Sequence, residues 1–285
     1  MLARKNAHPR DARITFSDKL ITLPNGKQIE DHAYTIELAN GEKVTWRNSS
    51  VTRLMADYFP NRFDPVKAYR GNTALQKQRE AENYETVQFG KLHHHHFEYF
   101  LDGQPFTPWK PERYPQFTCY EDLPGWTHFC EFLKQLDSWW VPFRVEWLVF
   151  STEAKLPGTI DLVLRDSRFP DELVLMVVDY KINKGPTDLP WCDCGNYKAE
   201  TAAGHSPNCQ AVGGKPASRN VLRKKCNVAA VQVSIYAWIL ENLYGARVTE
   251  LMVAYLHPNY PMYLHRPDTE ECRALVEDMI KSRLE

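Results

Sequence analysis

The stretch GTIDLVLRDSRFPDELVLMVVDYK, Gly158 to Lys181, constrains this chain more than any other. It holds two apolar runs around a polar turn, the pattern of paired strands. Yet the first run carries Asp161, and the second ends in Asp179-Tyr180-Lys181. A buried, unpaired charge is expensive, so ion pairs or a metal ion must offset these carboxylates. Asp179 and Lys181 are two apart and share one face of a strand. A hairpin brings Asp161 to within a few residues of lying opposite Asp179. Two carboxylates at one site repel and raise one pKa. A divalent cation relieves this, and hard oxygen ligands suit magnesium or manganese. A neighbouring lysine can orient or help deprotonate an attacking water, which completes the equipment for metal-assisted phosphodiester hydrolysis. An Asp-x-Lys at a strand end is also a common surface ion pair of little energetic weight. The spacing alone leaves both readings open.

The rest of the chain sets this core in a mixed pattern. DHAYTIELANGEKVTW has two alternating runs about Asn40-Gly41, a hairpin turn signal, so residues 1–48 are expected to form a β-hairpin region. Ser49 or Ser50 caps a short helix with Val51, Leu54 and Met55 on one face. Helical patterning runs from Asn72 to Leu101, and GWTHFCEFLKQLDSWW reads as an amphipathic helix ended by Pro142. Three strand-like runs follow: FRVEWLVF, GTIDLVL and ELVLMVVDYK. VAAVQVSIYAWILENLYG is a helix closed by Gly245, RVTELMVAYLHP a strand and DTEECRALVEDMIKSRLE a terminal helix. This order implies an α/β class, a mixed sheet flanked by helices. It occupies residues 49–285, with an insert at 182–226.

GTIDLVL followed by VVDYK resembles the core of the PD-(D/E)XK nuclease superfamily, where an Asp on one strand precedes Asp/Glu-x-Lys on the next. QVSIY, Gln232 to Tyr236, is similar to the Gln-x-x-x-Tyr motif of the RecB-like branch. GKLHHHHFE is similar to that branch's Gly followed four residues later by His, which selects His94 among four histidines. SSVTRLM and YLHPN resemble segments of viral and phage members. The resemblance implies a restriction-endonuclease-like core. It makes His94, Asp161, Asp179 and the Tyr180 carbonyl metal ligands and Lys181 the catalytic lysine. Gln232 and Tyr236, i and i+4 on one helix face, would meet DNA or position the active-site residues. Glu146 has frequent counterparts of variable role. The implied activity is a Mg2+- or Mn2+-dependent deoxyribonuclease, an exonuclease acting on DNA ends or single strands. A structure-specific endonuclease is one alternative. Another is a non-catalytic nucleic-acid-binding protein with a nuclease-like core, against which the intact Asp161, Asp179 and Lys181 argue.

The insert adds two expectations. Cys192, Cys194, His205 and Cys209 are ligand types that suit structural zinc, though the Cys-x-Cys gap is tight and free thiols in a loop are the alternative. KPASRNVLRKK supplies Arg223, Lys224 and Lys225 without an acidic residue, either a phosphate-binding arm or a solvated loop. Net charge is −1, so no global field attracts a polyanion and a local patch is needed. Seven cysteines, an odd number, with no secretion signal suggest an intracellular setting with few or no disulfides. No apolar run approaches a membrane span, so no membrane partner is expected.

Overall fold

The computed structural model describes residues 1–22, 28–47, 49–59, 72–182, 228–267 and 269–284. A three-stranded antiparallel sheet, β1 (Ile14–Thr22), β2 (Gln28–Glu37) and β3 (Lys43–Arg47), comes first. The main sheet is β4 (Trp140–Ser151), β5 (Leu156–Asp166), β6 (Val174–Lys181), β7 (Arg247–Tyr255) and β8 (Tyr263–His265), paired in that order. Only the β6–β7 pair is parallel. A parallel neighbour needs a long crossover, and the chain between β6 and β7 contains the helix α5 (Val228–Leu243). This is the expected mixed α/β arrangement.

The continuous apolar run of β6 has a direct cause. Leu175 and Val177 pack on one face of the sheet, against α5, α2 (Val51–Tyr58) and α6 (Thr269–Leu284). Met176, Val178 and Tyr180 pack on the other, against α3 (Thr73–Leu101) and α4 (Trp126–Gln135). A strand covered on both faces cannot alternate polar with apolar. The Ser50 side chain caps α2, accepting from the Arg53 N–H at 3.1 Å.

Two expectations about elements change. The β2–β3 hairpin forms about Asn40-Gly41, but β1 adds a third strand to it. The helix expected to run to Pro142 ends at Gln135. Pro142 instead lies in β4, beside a register shift before Arg144. Proline lacks the ladder N–H, and an edge strand with a bulge tolerates it. Cys119 and Cys130 are free thiols, whereas the buried Cys272 is disulfide-bonded. Among the described residues, no helix is long and apolar enough to cross a membrane. The expected zinc ligands Cys192, Cys194, His205 and Cys209 and the basic residues Arg223, Lys224 and Lys225 lie outside the described residues.

The N-terminal segment is tied to β4, the edge of the main sheet. Asp11 accepts from Arg144 at 2.6 Å, from the Trp147 indole at 2.8 Å and from the His8 N–H at 2.8 Å. Arg10 lies over the Phe150 ring at 4.2 Å. Above it Ile14, Tyr34 and Ile36 pack on Phe150. Arg144 is buried and has its carboxylate partner in Asp11. Removing one partner of such a pair strands the other's charge. Asp11→Ala should therefore lower unfolding free energy by about 2–3 kcal/mol, somewhat below a fully buried pair because Asp11 keeps a water-facing edge. Urea unfolding checks this, and a loss under about 0.5 kcal/mol, the surface-pair range, would show that the strap is not anchored there.

Candidate metal and catalytic centre

The site forms where β5 and β6 part. Their ladder ends at Leu162–Val178, so Asp161 and Asp179 are the next residues in register. Instead of the ladder bond, the Tyr180 N–H donates to Asp161 Oδ2 at 2.8 Å. On the other side of β5, Val145 pairs with Leu162 and Trp147 with Ile160, so Glu146 falls opposite Asp161. Glu146, Asp161 and Asp179 thus stand in one transverse row across three neighbouring strands.

The pleat changes phase in this row. Residues two apart on a strand normally share a face. Yet Val145 packs on the α3 side and Trp147 on the α5 side, and Leu162 and Ile160 divide in the same way. Glu146 takes φ +42°, in the left-handed region. A glutamate there is strained, and such backbone persists where surrounding structure enforces it. The kink re-aims both carboxylates, as bulges beside functional sites do.

His94, on α3, closes the cluster. Its Nδ1 stands 3.4 Å from Glu146 Oε1 and 3.4 Å from Asp161 Oδ1. These distances exceed the ~2.7–2.9 Å of a closed charged hydrogen bond. One ligand atom from each of His94, Glu146 and Asp161 lies within 4.8 Å of the other two, close enough for all three to share one ion. One imidazole and two carboxylates suit a hard or borderline divalent cation such as magnesium or manganese. Burial lowers the His94 pKa, but the Asp161 and Glu146 carboxylates outweigh it and hold the ring well above its ordinary range. Burial raises Asp161, yet His94, Lys181 and the Tyr180 N–H bring it below the usual carboxylate value. Burial pushes Glu146 up. Glu98, one turn beyond His94, is raised to about 7 by burial and by Glu146.

Asp179 and Lys181 lie on the α5 side of the row. Lys181 Nζ is 2.7 Å from Asp179 Oδ2 and donates to Gln232 Oε1 at 3.4 Å. Burial raises the Tyr236 hydroxyl well above its ordinary range, and Gln232, one turn away on α5, lowers it. Burial raises Asp179 to about 6, with Asp161 adding and Lys181 opposing. Burial alone would lower Lys181, but Asp179 and Asp161 raise it. Tyr236 is buried, which favours positioning over contact with DNA. Gly158 explains its seat: a Cβ there would come within 2.6 Å of the Tyr236 ring and 2.9 Å of Val51.

The structure brings His94, Asp161, Asp179, Tyr180, Lys181 and Gln232 together. It also adds Glu146, which strand alternation alone gave no reason to single out. Of the expected metal ligands, Asp179 stands apart from the three-residue cluster, paired with Lys181. The other histidines are engaged elsewhere. His93 bonds the Phe89 carbonyl at 2.7 Å and the Pro124 carbonyl, and His95 packs on Tyr99. His96 stacks on Phe106 at 4.6 Å. Neither a known family model nor any curated protein matches this chain.

Two outcomes follow from this geometry. His94→Ala should weaken Mn2+ binding by roughly 10- to 100-fold, while His95→Ala leaves it within about 2-fold. Titration calorimetry with MnCl2 reads both, and equal losses would show that His94 is not a ligand. Gly158→Ala should displace Tyr236 and lower stability by about 1–3 kcal/mol, the cost of overpacking. A melting temperature unchanged from the parent would mean that Tyr236 is not seated against this glycine.

Proposed function

We propose that the protein is a metal-dependent deoxyribonuclease of the RecB-like type, an exonuclease acting on DNA ends or single strands. The observation that carries this reading is the single row of Glu146, Asp161 and Asp179, flanked by His94 on one side and Lys181 on the other. The resemblance in GTIDLVL, VVDYK and QVSIY points the same way. A magnesium or manganese ion held by His94, Glu146 and Asp161 would supply Lewis-acid polarisation of the scissile phosphate.

The chain's own residues do the rest. Asp161 is oriented by the Tyr180 N–H, so its second oxygen faces His94. Lys181 is aimed by Asp179 and Gln232. Its ammonium aligns the attacking water and counters negative charge growing on the phosphoryl oxygens, the electrostatic role of a fixed cation in such a site. Tyr236, seated on Gly158, holds Gln232 and through it the lysine. Asp179 is buried, which limits the screening of its pair with Lys181 by water.

Purified protein should degrade end-labelled linear and single-stranded DNA with Mg2+ or Mn2+, leave closed circular duplex intact, and lose activity with chelator. Lys181→Ala should cost roughly 10²–10³-fold in rate, and Asp161→Asn at least as much. Parental rates in Asp161→Asn would remove the nuclease assignment. Cleavage of closed circular duplex would turn it into an endonuclease.

A further inference from the structure

The carboxylate row does not stop at Asp179. In register, Asp179 pairs with Val253 on β7, and Val253 with His265 on β8. The next row runs from Lys181 through Tyr255 to Tyr263. Partners in register point to the same face of a sheet, so His265 and Tyr263 face the side that Asp179 and Lys181 face. Two strand spacings put them roughly 10 Å from the catalytic pair. The three rings form a strip. Tyr255 and Tyr263 have centroids 5.9 Å apart at 35°, and Tyr263 and His265 lie 6.3 Å apart at 25°. Tyr255 is buried at the root of the strip, but Tyr263 is 46% exposed. It sits on a three-residue edge strand, where an exposed aromatic ring contributes little to the core.

We propose that Tyr263 and His265 form a stacking subsite for an unpaired base of a single-stranded polynucleotide whose scissile phosphate lies at the carboxylate row. This rests on the nuclease reading above and chooses single strands between the two substrates it leaves open. Bases in a duplex already stack on their neighbours, whereas an unpaired base has a free π face for an aromatic ring. Such stacking tolerates any sequence, so the subsite selects single strands without selecting bases. It also suits a chain of net charge −1, which has no global field to hold a polyanion. Continuity with the catalytic rows places this aromatic strip where a strand leaving the site passes over β8.

The test uses the full chain carrying Asp161→Asn, with Mn2+ present. Affinity for labelled oligothymidylate and for a blunt duplex of equal length is measured by anisotropy. Tyr263→Ala should weaken single-strand binding by roughly 5- to 100-fold. Tyr263→Phe, which keeps the ring, should stay within about 2-fold of the parent, and duplex affinity should not change. His265→Ala should give a smaller loss in the same direction. Unaltered single-strand affinity in Tyr263→Ala, where the Asp161→Asn protein binds DNA and the unsubstituted protein cleaves it, overturns the subsite alone. Equal losses for single strand and duplex overturn base stacking as its role. Unsubstituted protein that neither binds nor cleaves any DNA removes the nuclease reading, and the subsite with it.

Discussion

The Asp161 carboxylate at the fork between β5 and β6 is the contact on which the site depends. One oxygen takes the Tyr180 N–H where the ladder ends, and the other faces His94. A single side chain therefore joins the two strands and the long helix α3 at one point. Burial would push such a carboxylate toward neutrality. His94, Lys181 and the Tyr180 N–H together hold it ionised. Without that anion, the His94 ring and Lys181 would each lose a counter-charge.

The two sides of the row have separate supports. On the α3 side, His94 and the strained Glu146 converge on Asp161. On the α5 side, a chain of polar contacts runs from Tyr236 through Gln232 to Lys181 and Asp179. Each rests on a local feature with a steric cause. Glu146 is turned by its left-handed backbone, and Tyr236 needs a residue without a Cβ at 158. Rigid placement of this kind is what lets charged groups act without reorganising during reaction.

Much of this could be read from the sequence, because strand period and register are regular. Asp179 and Lys181 sit where a period of two puts them, register sets Asp161 beside Asp179, and the i, i+4 spacing places Gln232 and Tyr236 on one face of α5. His94 comes from the motif resemblance, which puts a histidine four residues after Gly90. The sequence names Glu146 but assigns it no place in the cluster, because FRVEWLVF reads as an uninterrupted strand. Its phase change is set by a positive φ that no residue type announces. Pro142 was read as a helix stop because proline breaks both elements, and only the edge position of β4 separates the two readings. The motif leaves Tyr236 either a DNA contact or a positioning role because a motif carries no burial, and Gly158 in GTIDLVL is the signal for its seat. The third N-terminal strand, β1, follows from tertiary pairing with β2 rather than from a turn signal.

The central claim is that His94, Glu146 and Asp161 converge on one divalent cation. Crystals grown with Mn2+ and measured at a wavelength where manganese scatters anomalously test it directly. The account predicts an anomalous peak about 2.0–2.3 Å from His94 Nδ1 and from one carboxylate oxygen each of Glu146 and Asp161. At saturating Mn2+, a peak elsewhere, or none between these three side chains, would contradict it.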